Sequence, residues 1–197
     1  MQQRGLTGIA VTDHNTLRGA LELAARAPFP VIVAEEIRTQ EGEIIGYFLT
    51  EEIPAMLPLD ETIERIRAQG GVVSAPHPLD TVRRSSALGR EALLRVIDRV
   101  DLIEGYNARC FRKADNLAAQ ALAREYGKPL TAGSDAHASF EIGRAWVEMP
   151  PFQTPQQFVE SLRQGTIHGH GRGGWVSLFS TVAKVAKKWG WDRWMRF

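Results

Sequence analysis

Short apolar runs alternate with amphipathic stretches along most of the chain. Gly8–Thr12, Val31–Val33, Ile44–Leu49, Gly71–Ala75, Leu102–Glu104, Leu130–Ala132 and Ala145–Glu148 read as strands. Leu17–Arg26, Arg90–Asp98, Ala114–Tyr126 and Pro155–Arg163 carry helical spacing. Another helix is expected to start at Asp60, an N-cap residue type, to bury Ile63 and Ile66, and to close at Gly70. Gly127 closes the Ala114 helix in the same way. Strands separated by helices of this length imply βαβ units, an α/β class and a parallel sheet or barrel. There is no internal repeat and no low-complexity linker.

Composition narrows the class. The 197 residues are 44% hydrophobic and 24% charged, with a single Cys. That is enough chain for one domain with a real core. It excludes a disulfide scaffold or a Cys-rich zinc module and points to a reducing, cytoplasmic setting. No apolar run is long enough for a membrane span, and no signal peptide opens the chain. The net charge of +1 is unevenly distributed. Residues 172–197 hold six basic residues, one acid and four of the five Trp, so the tail is +5 and the body −4. Two units are expected: a body over 1–171 and a basic, Trp-rich tail over 172–197.

The body has three His before residue 168, and each follows the carboxyl end of an expected strand: His14, His77 and His137. Carboxylates occupy equivalent places at Asp13, Glu35, Glu36, Glu104 and Asp135. In parallel α/β folds these strand ends converge on one face, where active sites form. Imidazole with carboxylate is the ligand set of Zn, Mn or Fe hydrolase sites. In an extended segment, Asp135 and His137 would point to the same side, which suits joint ligation.

In this order Thr12-Asp-His14, Ala34-Glu-Glu36, His77-Pro78 and Gly133-Ser-Asp-Ala-His137 resemble successive motifs of the PHP (polymerase and histidinol phosphatase) superfamily. Glu104–Arg109 and Glu141-Ile-Gly143 resemble the downstream half of its small stand-alone phosphoesterases, with their PHP-associated segment. The resemblance covers about residues 1–170. It implies a distorted (β/α)7 barrel with two or three divalent metals (Zn, Mn or Fe). Metal-activated water would hydrolyse a small phosphomonoester, nucleotide or short oligonucleotide. It implies His14, Glu36, His77, Asp135 and His137 as metal ligands. Asp13 would orient its neighbour, so Asp13, His14, Asp135 and His137 form the catalytic set. Cationic partners for phosphate are expected from Arg109, Arg83 and Arg84. Arg109 follows a strand end, whereas Arg83 and Arg84 read equally well as a solvated loop.

Two features depart from the family pattern. Relatives open with a strand carrying His-x-His, then a turn and helix, and nothing here corresponds. The barrel is therefore expected to lack its first strand and helix, exposing an edge that favours homo-oligomers. Glu43 stands where relatives usually carry His, and glutamate can still ligate a hard or borderline cation. The rival reading is a degenerate or truncated PHP module without catalysis, acting in metal binding or in contact with a partner or surface.

Three features stand apart. Cys110 has no neighbouring His and reads as a bland thiol. His168 and His170 follow the last expected helix, in a stretch that reads as a glycine-rich linker or a phosphate-contacting loop, with a metal pair as the weaker alternative. Ser177–Trp189 can form a helix with Leu178, Val182, Val185 and Trp189 on one face. It would either dock on the barrel or touch anionic membrane or nucleic acid.

Overall fold

The β2–β3 connection sets the architecture. In the computed structural model, which describes residues 4–170, β1 (Ile9–His14) leads through α1 (Arg18–Arg26) to β2 (Val31–Arg38). Only residues 39–42 then separate β2 from β3 (Glu43–Tyr47). A link this short cannot make a crossover, so β3 returns antiparallel. Both the Thr39 amide and its hydroxyl donate to Gly42 O at 2.8 Å to close the turn. The sheet, expected to be a parallel sheet or barrel, is therefore mixed.

The chain continues through α2 (Leu59–Ala68), β4 (Val72–Ala75), α3 (Gly89–Arg95), β5 (Leu102–Asn107), α4 (Lys113–Glu125) and β6 (Leu130–Gly133). It ends with β7 (Ala145–Glu148), α5 (Pro155–Arg163) and β8 (Thr166–Gly169). The six strands β1 to β6 form one mixed sheet in chain order, and β7 and β8 form an antiparallel pair. Among the described residues the ladder is open rather than a closed seven-stranded barrel. It nevertheless curls. The rings of His14, at the end of β1, and His137, beyond β6, are 5.9 Å apart although their strands lie at opposite edges.

Smaller differences have local causes. Pro58, with φ of −53°, takes the N-cap position of α2, and Thr62 N donates to its carbonyl. Asp60 falls in the first turn instead and pairs with Arg99 at 2.5 Å. The helix expected over 90–98 ends at Arg95 and passes into a 3-10 turn, Ile97–Arg99. Residues 166–169, expected to be linker, form β8 because Trp146 and Ile167 find cross-strand partners in the β7–β8 pair. The tail helix expected over Ser177–Trp189 lies outside the described residues. No helix among those described is long and apolar enough to cross a membrane.

Strand alternation divides the buried residues between two faces. Ile37, Ile44, Val73, Ala75 and Ile103 meet the helices through Ile63, Ile66 and Leu122. On the concave face, Ala34, Ile45, Tyr47, Val72 and Leu102 pack against Phe158 and Leu162 of α5. The same concave set continues as Glu36, Ser74 and Glu104 toward the carboxyl ends of β2, β4 and β5. The apolar end is covered by α5, so the polar end is left as the site.

Candidate metal centre

Each strand end delivers one chemically useful side chain. β1 and β2 are in parallel register with His14 opposite Glu36. Beyond them Asn15 takes a left-handed φ of 54°, its amide donates to Glu36 O, and its Oδ1 accepts from Arg38 N at 2.8 Å. This clamps His14 beside Glu36. His14 Nδ1 lies 3.3 Å from Glu36 Oε2 and 4.0 Å from Glu43 Oε1. His77 Nε2 approaches the same two carboxylates, 3.1 Å from Glu36 Oε1 and 3.5 Å from Glu43 Oε2. Two imidazoles and two buried carboxylates thus converge. One ligand atom each from His14, Glu36 and Glu43 lie within 4.8 Å of one another.

The electrostatics of this cluster favour a cation. Burial, reinforced by the charge of Glu36, pushes the Glu43 carboxyl up. Burial opposes the charged form of His77, but its hydrogen bond to Glu36 wins and the imidazole is raised overall. Nδ1 of His77 is buried without a hydrogen-bond partner among the described residues. Facing carboxylates of like charge, with one nitrogen each of His14 and His77 turned toward them, fit a divalent ion of the N/O-ligand class.

The second half of the site comes from β5 and β6. Asp135 has a left-handed φ of 47°, and His77 one of 28°. Strain of this kind is held only where surrounding bonds over-determine it. Glu104 Oε2 accepts from His77 N at 2.7 Å and from Asn107 Nδ2 at 3.0 Å, which fixes the His77 backbone. Asp135 Oδ2 accepts from Arg83 at 2.5 Å and from Asn107 at 3.3 Å. His137 Nδ1 lies 3.4 Å from the other Asp135 oxygen, and His137 N donates to Glu141 Oε2 at 2.7 Å. Burial raises the Asp135 carboxyl, but the charge and hydrogen bond of Arg83 outweigh it and hold it low. Burial, with Arg109 nearby, outweighs the 3.0 Å hydrogen bond of Nδ1 to Asp135 O and lowers the His137 imidazole.

The expected site residues are therefore placed as follows. His14, Glu36 and His77 share one cluster, and Asp135 and His137 form a neighbouring pair joined to it by the His14–His137 ring contact. Asp13 is exposed and its carboxylate lies against Gly19 at the start of α1, with no bond to His14. Glu35 points away and accepts from Ile53 N at 3.0 Å. Arg109 reaches the site edge, where Nη1 is 3.5 Å from Asp135 O. Arg83 is tied to Asp80, Asp135 and Asn107. Arg84 is exposed, donates to Thr81 O and lines a separate surface cavity of about 530 Å³. His168 stacks on Trp146 at 5.1 Å and faces Glu148, apart from the cluster. Cys110 Sγ sits 3.5 Å from Asp80 Oδ2, and burial together with that carboxylate pushes its thiol up, so a reactive thiolate is disfavoured.

Glu43, which stands where relatives usually carry His, completes the cluster from β3. One residue enters the site without having been singled out for it. Arg38, one strand step beyond the Glu36 face, places Nη1 3.7 Å from Glu43. The β2 alternation and the hairpin register that pairs Arg38 with Glu43 were the available signals.

Residues 113–167 match the family described as PHP-associated. Two proteins of Methanocaldococcus jannaschii, named only as uncharacterized, are 38% identical over 163 residues and 41% identical over 109. These matches cover 78% and 54% of this chain but 65% and 63% of the relatives, so the chain spans less than two thirds of either. Among solved structures, a two-domain Bacteroides vulgatus protein containing a predicted PHP-like metal-dependent phosphoesterase superposes with a TM-score of 0.65 at 15% identity. That match covers 84% of this chain and 57% of the other. PsfC of Pseudomonas syringae gives 0.67 at 17% identity, covering 94% and 86%. Residues 113–167 are thus similar to a PHP-associated segment, and the chain shares its fold with a PHP-like structure.

Proposed function

We propose that the chain is the catalytic unit of a metal-dependent phosphoesterase, its curled sheet forming part of a PHP-type barrel and its substrate a small phosphomonoester. One observation carries this reading: Glu36 and Glu43 are buried side by side, and each is approached by both His14 and His77. His14, Glu36, Glu43 and His77 would hold one divalent ion, and Asp135 with His137 a neighbouring one. When bound, such ions supply activation of water and neutralise phosphoryl charge. The chain's own residues do the rest. Arg109, beside Asp135, and Arg38, beside Glu43, offer guanidinium donors to phosphoryl oxygens. Glu104 holds the His77 backbone amide and Asn107 the Asp135 carboxylate. No Ser or Cys nucleophile is required.

The test is hydrolysis of p-nitrophenyl phosphate by metal-loaded protein with Mn2+, Zn2+ or Fe2+. Stimulation by one of these, abolished in His14→Ala and Asp135→Ala, is expected. Metal uptake without hydrolysis under all three would replace this reading with the non-catalytic metal-binding one.

A further inference from the structure

Arg83 is the most heavily engaged cation beside the site, and nothing in the proposed chemistry uses it directly. Its guanidinium joins two acids. Nε donates to Asp80 Oδ2 at 2.8 Å and Nη1 to Asp135 Oδ2 at 2.5 Å, while Nη2 reaches Asn107 Oδ1 at 3.2 Å. Asp80 is only 4% exposed, and its other oxygen accepts from the backbone amides of Val82 and Arg83 at 2.8 and 2.9 Å. Asp80 is therefore fixed by its own loop, Arg83 by Asp80, and Asp135 by Arg83.

We propose that Asp80 and Arg83 are positioning residues that lock Asp135 into presenting a single carboxylate oxygen, Oδ1, to a divalent cation. The proposal rests on the reading of the site as a metal centre. The side-chain hydrogen bonds to the Asp135 carboxylate, a short one from Arg83 and a longer one from Asn107, both fall on Oδ2. Oδ1 is left on the side of His137, whose ring leads to His14. Asp135 lies beyond the end of β6, and its carboxylate is held by the side chains of Arg83 and Asn107. A planar fork spanning two acids can fix it, and a lysine, with one compact ammonium, cannot engage both in the same geometry. Partners that orient ligands in this way are typically worth about 10–100-fold in metal affinity.

The experiment measures Mn2+ affinity of the full chain by competition with a chromogenic chelator, in wild type, Asp80→Asn, Arg83→Met, Arg83→Lys, the Asp80→Asn/Arg83→Met double variant and an Arg26→Met control. Asp80→Asn, Arg83→Met and Arg83→Lys should each weaken binding by about 10-fold or more, Arg83→Lys by less than Arg83→Met, while Arg26→Met should bind like wild type. The double variant should be no more than about twofold worse than Arg83→Met, because both residues act through one path. Circular dichroism melts accompany every variant. If Arg83→Met is unfolded, Asp80→Asn, which keeps the guanidinium, carries the test. Wild-type affinity in Asp80→Asn and Arg83→Met, or penalties that simply add, would overturn the relay while leaving the metal centre standing. A wild-type chain that takes up no metal would overturn both.

Discussion

Gly133 offers a sharp test of how the site is held. It ends β6, and a Cβ built on it runs into Glu104 Oε1. Its φ is not in the left-handed region, so alanine is allowed by the backbone and only space forbids it. Glu104 is 7% exposed and its Oε2 accepts two hydrogen bonds, from His77 N at 2.7 Å and from Asn107 Nδ2 at 3.0 Å. Moving the carboxylate aside breaks one or both. Hydrogen bonds to a charged group contribute about 1.5–3 kcal/mol each. Gly133→Ala should therefore cost about 1.5–3 kcal/mol if one survives, and about 3–6 kcal/mol if neither does. Against a total stability of about 5–15 kcal/mol that is a severe loss. At about 2–4 °C per kcal/mol for a chain of this size, a 3 kcal/mol loss lowers Tm by roughly 6–12 °C. Gly70→Ala is the contrast, since Gly70 has a φ of +72° but open space around it. Its cost should be only the left-handed penalty of about 1–2 kcal/mol. Urea titrations with both variants decide it. A Gly133→Ala protein within 1 kcal/mol of wild type, or one no worse than Gly70→Ala, would refute the steric account of Glu104.

Two further outcomes are expected. Burial raises the Asp80 carboxyl, but the amides of Arg83 and Val82 and the Arg83 side chain hold it below the ordinary value of 3.8. A depressed folded value contributes stability above 3.8 that is lost as pH falls through the folded value. The stability difference between wild type and Asp80→Asn should thus be largest near neutrality and shrink below pH 3.8; a difference constant with pH would contradict this. Arg38→Met should raise KM for p-nitrophenyl phosphate about 10-fold with kcat within about twofold, the signature of lost binding common to ground and transition states. An unchanged KM would remove Arg38 from substrate recognition.

Much of the local structure was legible from residue order alone. The strand and helix spacings, Ala145–Glu148 and Pro155–Arg163 included, coincide with observed elements because alternation and helical periodicity are local properties. The placing of His14, His77 and Asp135 at strand ends follows from the same local pattern. Strand direction did not, since parallel and antiparallel strands alternate alike; the four-residue β2–β3 link decided it. That reversal brings Glu43 and Arg38 into register beside Glu36. Local pattern equally could not show that Asp13 sits over α1, that Glu35 faces Ile53, or that Arg83 and Arg84, adjacent in sequence, part company at the site. Sequence by itself determined which side chains stand at the ends of strands. Only the curled, mixed sheet decided which of them meet, because convergence depends on register and curvature set by pairings between segments far apart in the chain.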